Sequence, residues 1–128
     1  MNLLLDTHVA LWSITDDPKL SKYARELISD PQNTVWISAV NIWEISIKSS
    51  LNKKALPVSG KEALQYFKEA AYQFLPVEPQ HAVVVEDLPQ HHQDPFDRLL
   101  IAQALSEPMR LITHDAKVAR YSDTIILI

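Results

Sequence analysis

Apolar residues along the chain follow two rhythms. Short continuous runs read as buried strands: Leu3-Leu4-Leu5, "NTVWIS" from Thr34 to Ile37, a short piece at "FLPVE", "RLIT" and a closing "DTIILI". Between them the apolar positions take helical spacing. A helix starts at Thr7 and carries Trp12; Leu20, Tyr23, Leu27 and Ile28 form a second stripe. Ser38 is placed to cap a helix running to about residue 50, with Val40, Trp43, Ile47 and Leu51 on one face. Leu64, Phe67 and Ala71 mark another. "PQHAVVVEDLP" suits either class and reads as helix, because Pro79 starts one and a loop with Pro89 and two histidines follows. "DPFDRLLIAQALSE" and "HDAKVARY" complete the helices. Trp12, Trp36 and Trp43 all fall on these elements and are assigned to the core. Strands that are continuous apolar runs, alternating with helices, predict an α/β fold: a mainly parallel sheet covered on both faces. In such folds functional groups gather beyond the carboxyl ends of the strands.

Composition narrows the chemistry. The chain has 128 residues, no cysteine, a single glycine (Gly60) and a formal net charge of −4. One domain over residues 1–128 is expected, with no repeat or linker. One glycine excludes a glycine-rich phosphate loop. The absence of cysteine excludes a disulfide framework and a thiolate zinc site. No apolar run is long enough for a membrane span and no signal-peptide pattern opens the chain, so a soluble, cytoplasmic protein is expected. An acidic balance argues against a general nucleic-acid coat, and makes any contact with nucleic acid local.

The acids then stand out by position. Asp6 follows the first strand and Asp115 follows "RLITH", each just before a helix; "LLLDTHVA" and "LITHDAKVA" echo one another. Either acid can cap its helix, and two parallel strands ending this way also bring two carboxylates to one sheet edge. Asp94, Pro95 and Asp97 have the spacing of a helix start, with Asp97 where a capping-box acid would stand. Glu44 is too deep in its helix to cap it and lies within the apolar stripe. It either pairs with Lys48 one turn on or shares a site with the other acids. Carboxylates gathered at one edge repel unless protonated or neutralised. An all-oxygen donor set without cysteine favours Mg2+ or Mn2+ over zinc. His91 and His92 are expected to be solvated or at most to touch substrate, and His8 and His114 to flank the acids from outside. Lys48, Lys53, Lys54 and Arg98 are the candidate phosphate contacts.

The blocks "LLLDTHVALW", "ISAVNIWEISIK", "HHQDPFDRLLIAQA" and "LITHD" together resemble the PIN-domain ribonucleases, and among them the VapC-type toxins of bacterial toxin–antitoxin pairs. The resemblance covers nearly the whole chain, and "DPFDRLLIAQA" is its most specific part. It implies a three-layer sandwich with a central sheet of about four to five strands. It implies that Asp6, Glu44, Asp97 and Asp115 hold one or two metal ions and carry the hydrolysis of RNA phosphodiester bonds. Asp94 is an additional acid, Thr7 and Ser38 would line the site, and Arg98 would form a salt bridge or touch the substrate. A cognate antitoxin and a homodimer are the implied partners, with a groove around Trp12, Leu20, Tyr23 and Leu27 open to a partner helix. His114 departs from the pattern, since a small residue commonly precedes the last acid. Two other classes stay open. One is a non-catalytic PIN-like binding module whose acids only cap helices. The other is a different Mg-dependent phosphohydrolase, although the haloacid-dehalogenase type wants a second Asp where His8 stands.

Overall fold

A computed structural model describes residues 1–128. Five strands form one parallel sheet in the order β3-β2-β1-β4-β5: β1 Asn2–Leu5, β2 Thr34–Ser38, β3 Gln73–Leu75, β4 Arg110–Thr113 and β5 Ile126–Leu127. β1 is central, paired with β2 on one side and β4 on the other. The chain winds from β1 outward to β3, then returns to the far side of β1 with β4. Between β1 and β4 the winding reverses, and a crevice opens there at the strand ends.

Seven α-helices connect the strands: α1 Thr7–Thr15, α2 Lys22–Ser29, α3 Ala39–Leu51, α4 Gly60–Glu69, α5 Pro79–Val84, α6 Pro95–Ser106 and α7 Ala116–Ala119. Because side chains alternate across a strand, the continuous apolar run of β1 serves two cores at once. Leu3 and Leu5 join a core with Val9, Ala24, Ile45 and Phe67 from α1 to α4. Leu4 joins the opposite core with Leu100, Ile101 and Val118 from α6 and α7. The result is the expected three-layer α/β sandwich. The lone glycine sits where α4 begins against α3: a Cβ on Gly60 would stand 2.0 Å from Ser46 Oγ. Close helix approach, not a turn, is what requires glycine there.

Three packing expectations are corrected. The buried face of α3 is Val40, Asn41, Glu44 and Ile45, so the stripe is rotated from the one the apolar spacing suggested. Leu51 and Trp43 point outward, Trp43 at 56% exposure against the edge of Phe96. Trp12 and Trp36 are only partly buried, and the Trp36 indole N–H donates to Asn2 Oδ1 at the surface. In the second stripe Leu20 is buried before α2 starts, and Ala24 takes the buried place expected of the exposed Tyr23.

Candidate active site

Asp6 stands at the carboxyl end of the central strand, at the point where the winding reverses. It is the N-cap of α1: Oδ1 accepts the Val9 N–H at 2.9 Å. Oδ2 accepts the Thr113 hydroxyl at 2.5 Å. The side chain is buried, and that burial raises its pKa against the lowering effect of Thr113 and Val9. Thr113, the last residue of β4, also accepts the Asp115 N–H at 3.0 Å, so one hydroxyl joins the two strand ends. Asp115 caps α7 through Lys117 N–H at 2.8 Å.

The start of α6 supplies the third carboxylate. Asp94 is its N-cap, with Oδ1 accepting the N–H groups of Phe96 and Asp97. The capping-box spacing suggests that Asp97 reaches back to the Asp94 N–H, but His92 does so instead: that N–H donates to His92 Nδ1 at 3.0 Å. Asp97 is thereby released into the site. The same bond assigns the proton of a neutral His92 to Nε2, which faces Asp115 Oδ2 at 2.9 Å and Asp97 Oδ2 at 3.3 Å. His92 is thus part of the acidic cluster rather than a solvated loop residue. Desolvation and the charges of Asp94, Asp6 and Glu44 push Asp97 up to about 7, with His92 opposing. Burial pushes Asp115 up as well, but the His92 bond and the α7 N–H groups outweigh it and hold Asp115 below the usual carboxylate range.

Glu44 approaches from α3. It is 4% exposed, and Oε1 accepts the Thr7 hydroxyl at 2.6 Å. The i,i+4 pair with Lys48 is formed at 2.5 Å on Oε2. It is not the surface pair that spacing alone describes, because one partner is buried. Burial lowers the Lys48 pKa, but Glu44, Asp94 and Asp97 outweigh that and hold it above its ordinary value. Asn41 aligns this half, donating to Leu5 O and Thr7 Oγ1, each at 3.1 Å. Ser38 is fully buried, capping α3 and donating to Gln103 Oε1 at 2.5 Å. It supports the site from beneath rather than lining it.

A cavity of about 680 Å3 is lined by Asp6, Asp94, Asp97, Asp115 and His92, together with His8, Trp12 and His114; the buried Glu44 and Thr7 lie outside its lining. Lys19 is the lysine that lines it. Lys53 and Lys54 are exposed after α3 and do not line the cavity, and Lys48 is engaged with Glu44. Arg98 forms no salt bridge. It is buried, and its guanidinium donates to Pro89 O, Val85 O and Tyr121 Oη, fixing the loop that carries His92.

Four contributors escaped sequence reasoning: Thr113, Asn41, Gln103 and His92. Thr113 has the strand propensity that hides a functional hydroxyl. Asn41 was legible in principle, three residues after Ser38, as a capping-box partner. The donor set fits a divalent cation. Ligand atoms of His92, Asp97 and Asp115 lie within 4.8 Å of one another. Asp6 and Glu44 fall outside that tight trio yet are near enough to raise Asp97. With Nδ1 accepting from a backbone N–H, His92 acts here as donor, so the ligands it leaves are carboxylate oxygens, the set hard cations prefer.

The sequence model of the PIN domain matches residues 3–123. "Ribonuclease VapC22" of Mycobacterium tuberculosis is 27% identical over 117 residues, 91% of this chain and 88% of that protein. Among solved structures, VapBC2 from Rickettsia felis bound to a promoter DNA fragment shares the fold at TM-score 0.67 and 19% identity, covering 100% of this chain and 98% of that one. A toxin–antitoxin complex from Klebsiella pneumoniae does so at TM-score 0.65 and 18% identity, covering 97% and 95%. With a match across nearly its whole length and acids at the switch point of its sheet, this chain belongs to the PIN domain family.

Proposed function

We propose that this chain is a metal-dependent endoribonuclease, acting in the cytoplasm as the toxin of a toxin–antitoxin pair. One observation carries the reading. Carboxylates from the starts of α1, α6 and α7 and from within α3 gather at the sheet's switch point, where burial first and then the charges of Asp94, Asp6 and Glu44 lift Asp97 to about 7. Such a cluster is costly unless protons or positive charge neutralise it, and a divalent cation does so most completely. Asp6, Glu44, Asp97 and Asp115 would hold one or two Mg2+ or Mn2+ ions, with Asp94 beside them. A bound cation would polarise the phosphate and activate water.

The protein's own part is orientation. Thr113 and the Val9 N–H fix both oxygens of Asp6. His92 draws Asp97 and Asp115 together while its ring is held by the Asp94 N–H. Thr7 and Lys48 hold Glu44 and keep its charge balanced. With its pKa at about 7, Asp97 is divided between its protonated and charged forms near neutral pH, and a bound cation would favour the charged form. The names of the relatives support RNA as substrate and a small antitoxin as partner; a second copy of this chain completes the expected assembly. A binding module would need the acids only as caps, and Asp97 and Glu44 cap nothing.

Purified protein freed of any partner should cut RNA with magnesium or manganese and stop in excess EDTA. Cutting at full rate in EDTA would contradict the metal-dependent reading. Expression of the chain alone should arrest growth, relieved by co-expression of its neighbouring small gene. Absence of arrest from an active preparation would remove the toxin role and leave the nuclease.

A further inference from the structure

We propose that His8, Trp12 and His114 form a stacking subsite for an unpaired nucleobase of the RNA next to the scissile phosphate; this rests on the ribonuclease reading above. The three rings line the same cavity as the acids and touch one another in sequence through Trp12. His8 and Trp12 are one turn apart on α1, with centroids 6.2 Å apart and planes tilted by 43°. His114 reaches over from the β4–α7 connection, 5.2 Å from Trp12 and nearly perpendicular to it at 71°. Neither contact is a parallel stack, so ring faces remain for a flat ligand to lie on. Trp12 and His114 are also held in place: Trp12 packs on the core beneath it, and His114 Nδ1 donates to the Ile128 carbonyl at 3.0 Å.

Both histidines are exposed and neither packs in the core. The cavity is far larger than a cation and one phosphate need, and falls in the range that takes a whole organic ligand. Flat aromatic surface beside a phosphate-cleaving centre suits a base, because every base offers a π-face on which a ring can stack. In a duplex those faces are covered by neighbouring bases, so the rings select single strands. Exposed Lys19 lines the same cavity and supplies a cation for a neighbouring phosphate.

The test uses the whole chain with Ca2+ in place of magnesium, titrated with short single-stranded oligo(A) and oligo(U) and with an RNA hairpin duplex, reading tryptophan fluorescence and anisotropy. Single strands should quench wild-type fluorescence. Trp12→Leu should remove that quench and weaken single-strand binding roughly 10-fold, while Trp12→Tyr stays within about 3-fold. Because Trp12 touches the core, the surface variant His8→Ala/His114→Ala provides the second arm: it should melt like wild type and bind single strands several-fold more weakly. In cleavage assays with magnesium the variants should raise KM more than they lower kcat. Wild-type binding by both Trp12→Leu and the double histidine variant, or equal losses for hairpin and single strand, would overturn the subsite. A wild-type protein that cleaves while Trp12→Leu keeps its KM removes only the subsite; one that never cleaves RNA removes the ribonuclease reading and the subsite with it.

Discussion

The β1–α1 and β4–α7 junctions are built alike and behave in opposite ways. Each is a parallel strand followed by an Asp that caps the next helix. Asp6, behind the central strand, is 6% exposed and its pKa is raised. The side chain of Asp115, one strand nearer the edge, is 40% exposed and its pKa is lowered. Local sequence makes the cap; place in the sheet decides what the carboxylate costs. At the centre, burial dominates and Asp6 is driven toward a proton or a cation. Off centre, His92 and the helix N–H groups win, and Asp115 is comfortable as an anion. Thr113 donates to one acid and accepts from the backbone of the other, so it couples the two ends.

The sharpest way to break this comparison is to neutralise the buried end. Asp6→Asn should keep the cap, because Asn caps as well as Asp. Cleavage should fall by more than about 100-fold, since even groups that only orient metal ligands are worth 10–100-fold. Metal-free stability at neutral pH should rise, and Asp115→Asn should lower it. Thermal melts of the two variants with stability changes of the same sign would erase the contrast. Next in size is Thr113→Val, which should lower kcat/KM by about 10–100-fold, with Thr113→Ser restoring most of it. Equal activity in the Val and Ser variants would show that the hydroxyl positions nothing.

A pH series sharpens the contrast further. Asp97 has a folded pKa of about 7, above its unfolded value of 3.8. Its contribution to stability is therefore complete below the unfolded value and lost as pH rises through about 7. Asp115, with a lowered folded pKa, contributes stability above the ordinary carboxylate range and loses it as pH falls through its folded pKa. The Tm of metal-free protein should decline from mildly acidic to alkaline pH, and Asp97→Asn should flatten that decline. A decline unchanged in Asp97→Asn would place the titration elsewhere. The smallest effect is expected at His92: His92→Asn should weaken Mn2+ binding about 10-fold by calorimetry, and wild-type affinity would make the ring dispensable.

The order of strands and helices was legible because strand runs and helical stripes each carry their own period. That Asp6 and Asp115 stand at one edge of the sheet followed from that order; that β1 and β4 are neighbours where the winding reverses did not. What could not be read was rotation and reach. Trp43 looks like core by residue type, yet α3 turns Asn41 and Glu44 inward because their hydrogen bonds are met there. Arg98 looks like a phosphate ligand, yet its donors are consumed by loop carbonyls. His92 sits in a polar loop, and only the fold of that loop against Tyr121 brings it onto the acids: its backbone N–H donates to the Tyr121 hydroxyl at 2.9 Å.

The proposed role of Asp6, Asp97 and Asp115 as ligands of a divalent cation is tested most directly by crystals soaked in Mn2+ and read by anomalous diffraction. A peak coordinated by Asp6 and Asp97 at the switch-point crevice, absent from Asp97→Asn crystals, is the expected result. Ordered crystals with no peak there, or with Mn2+ only at surface acids away from the cavity, would contradict it.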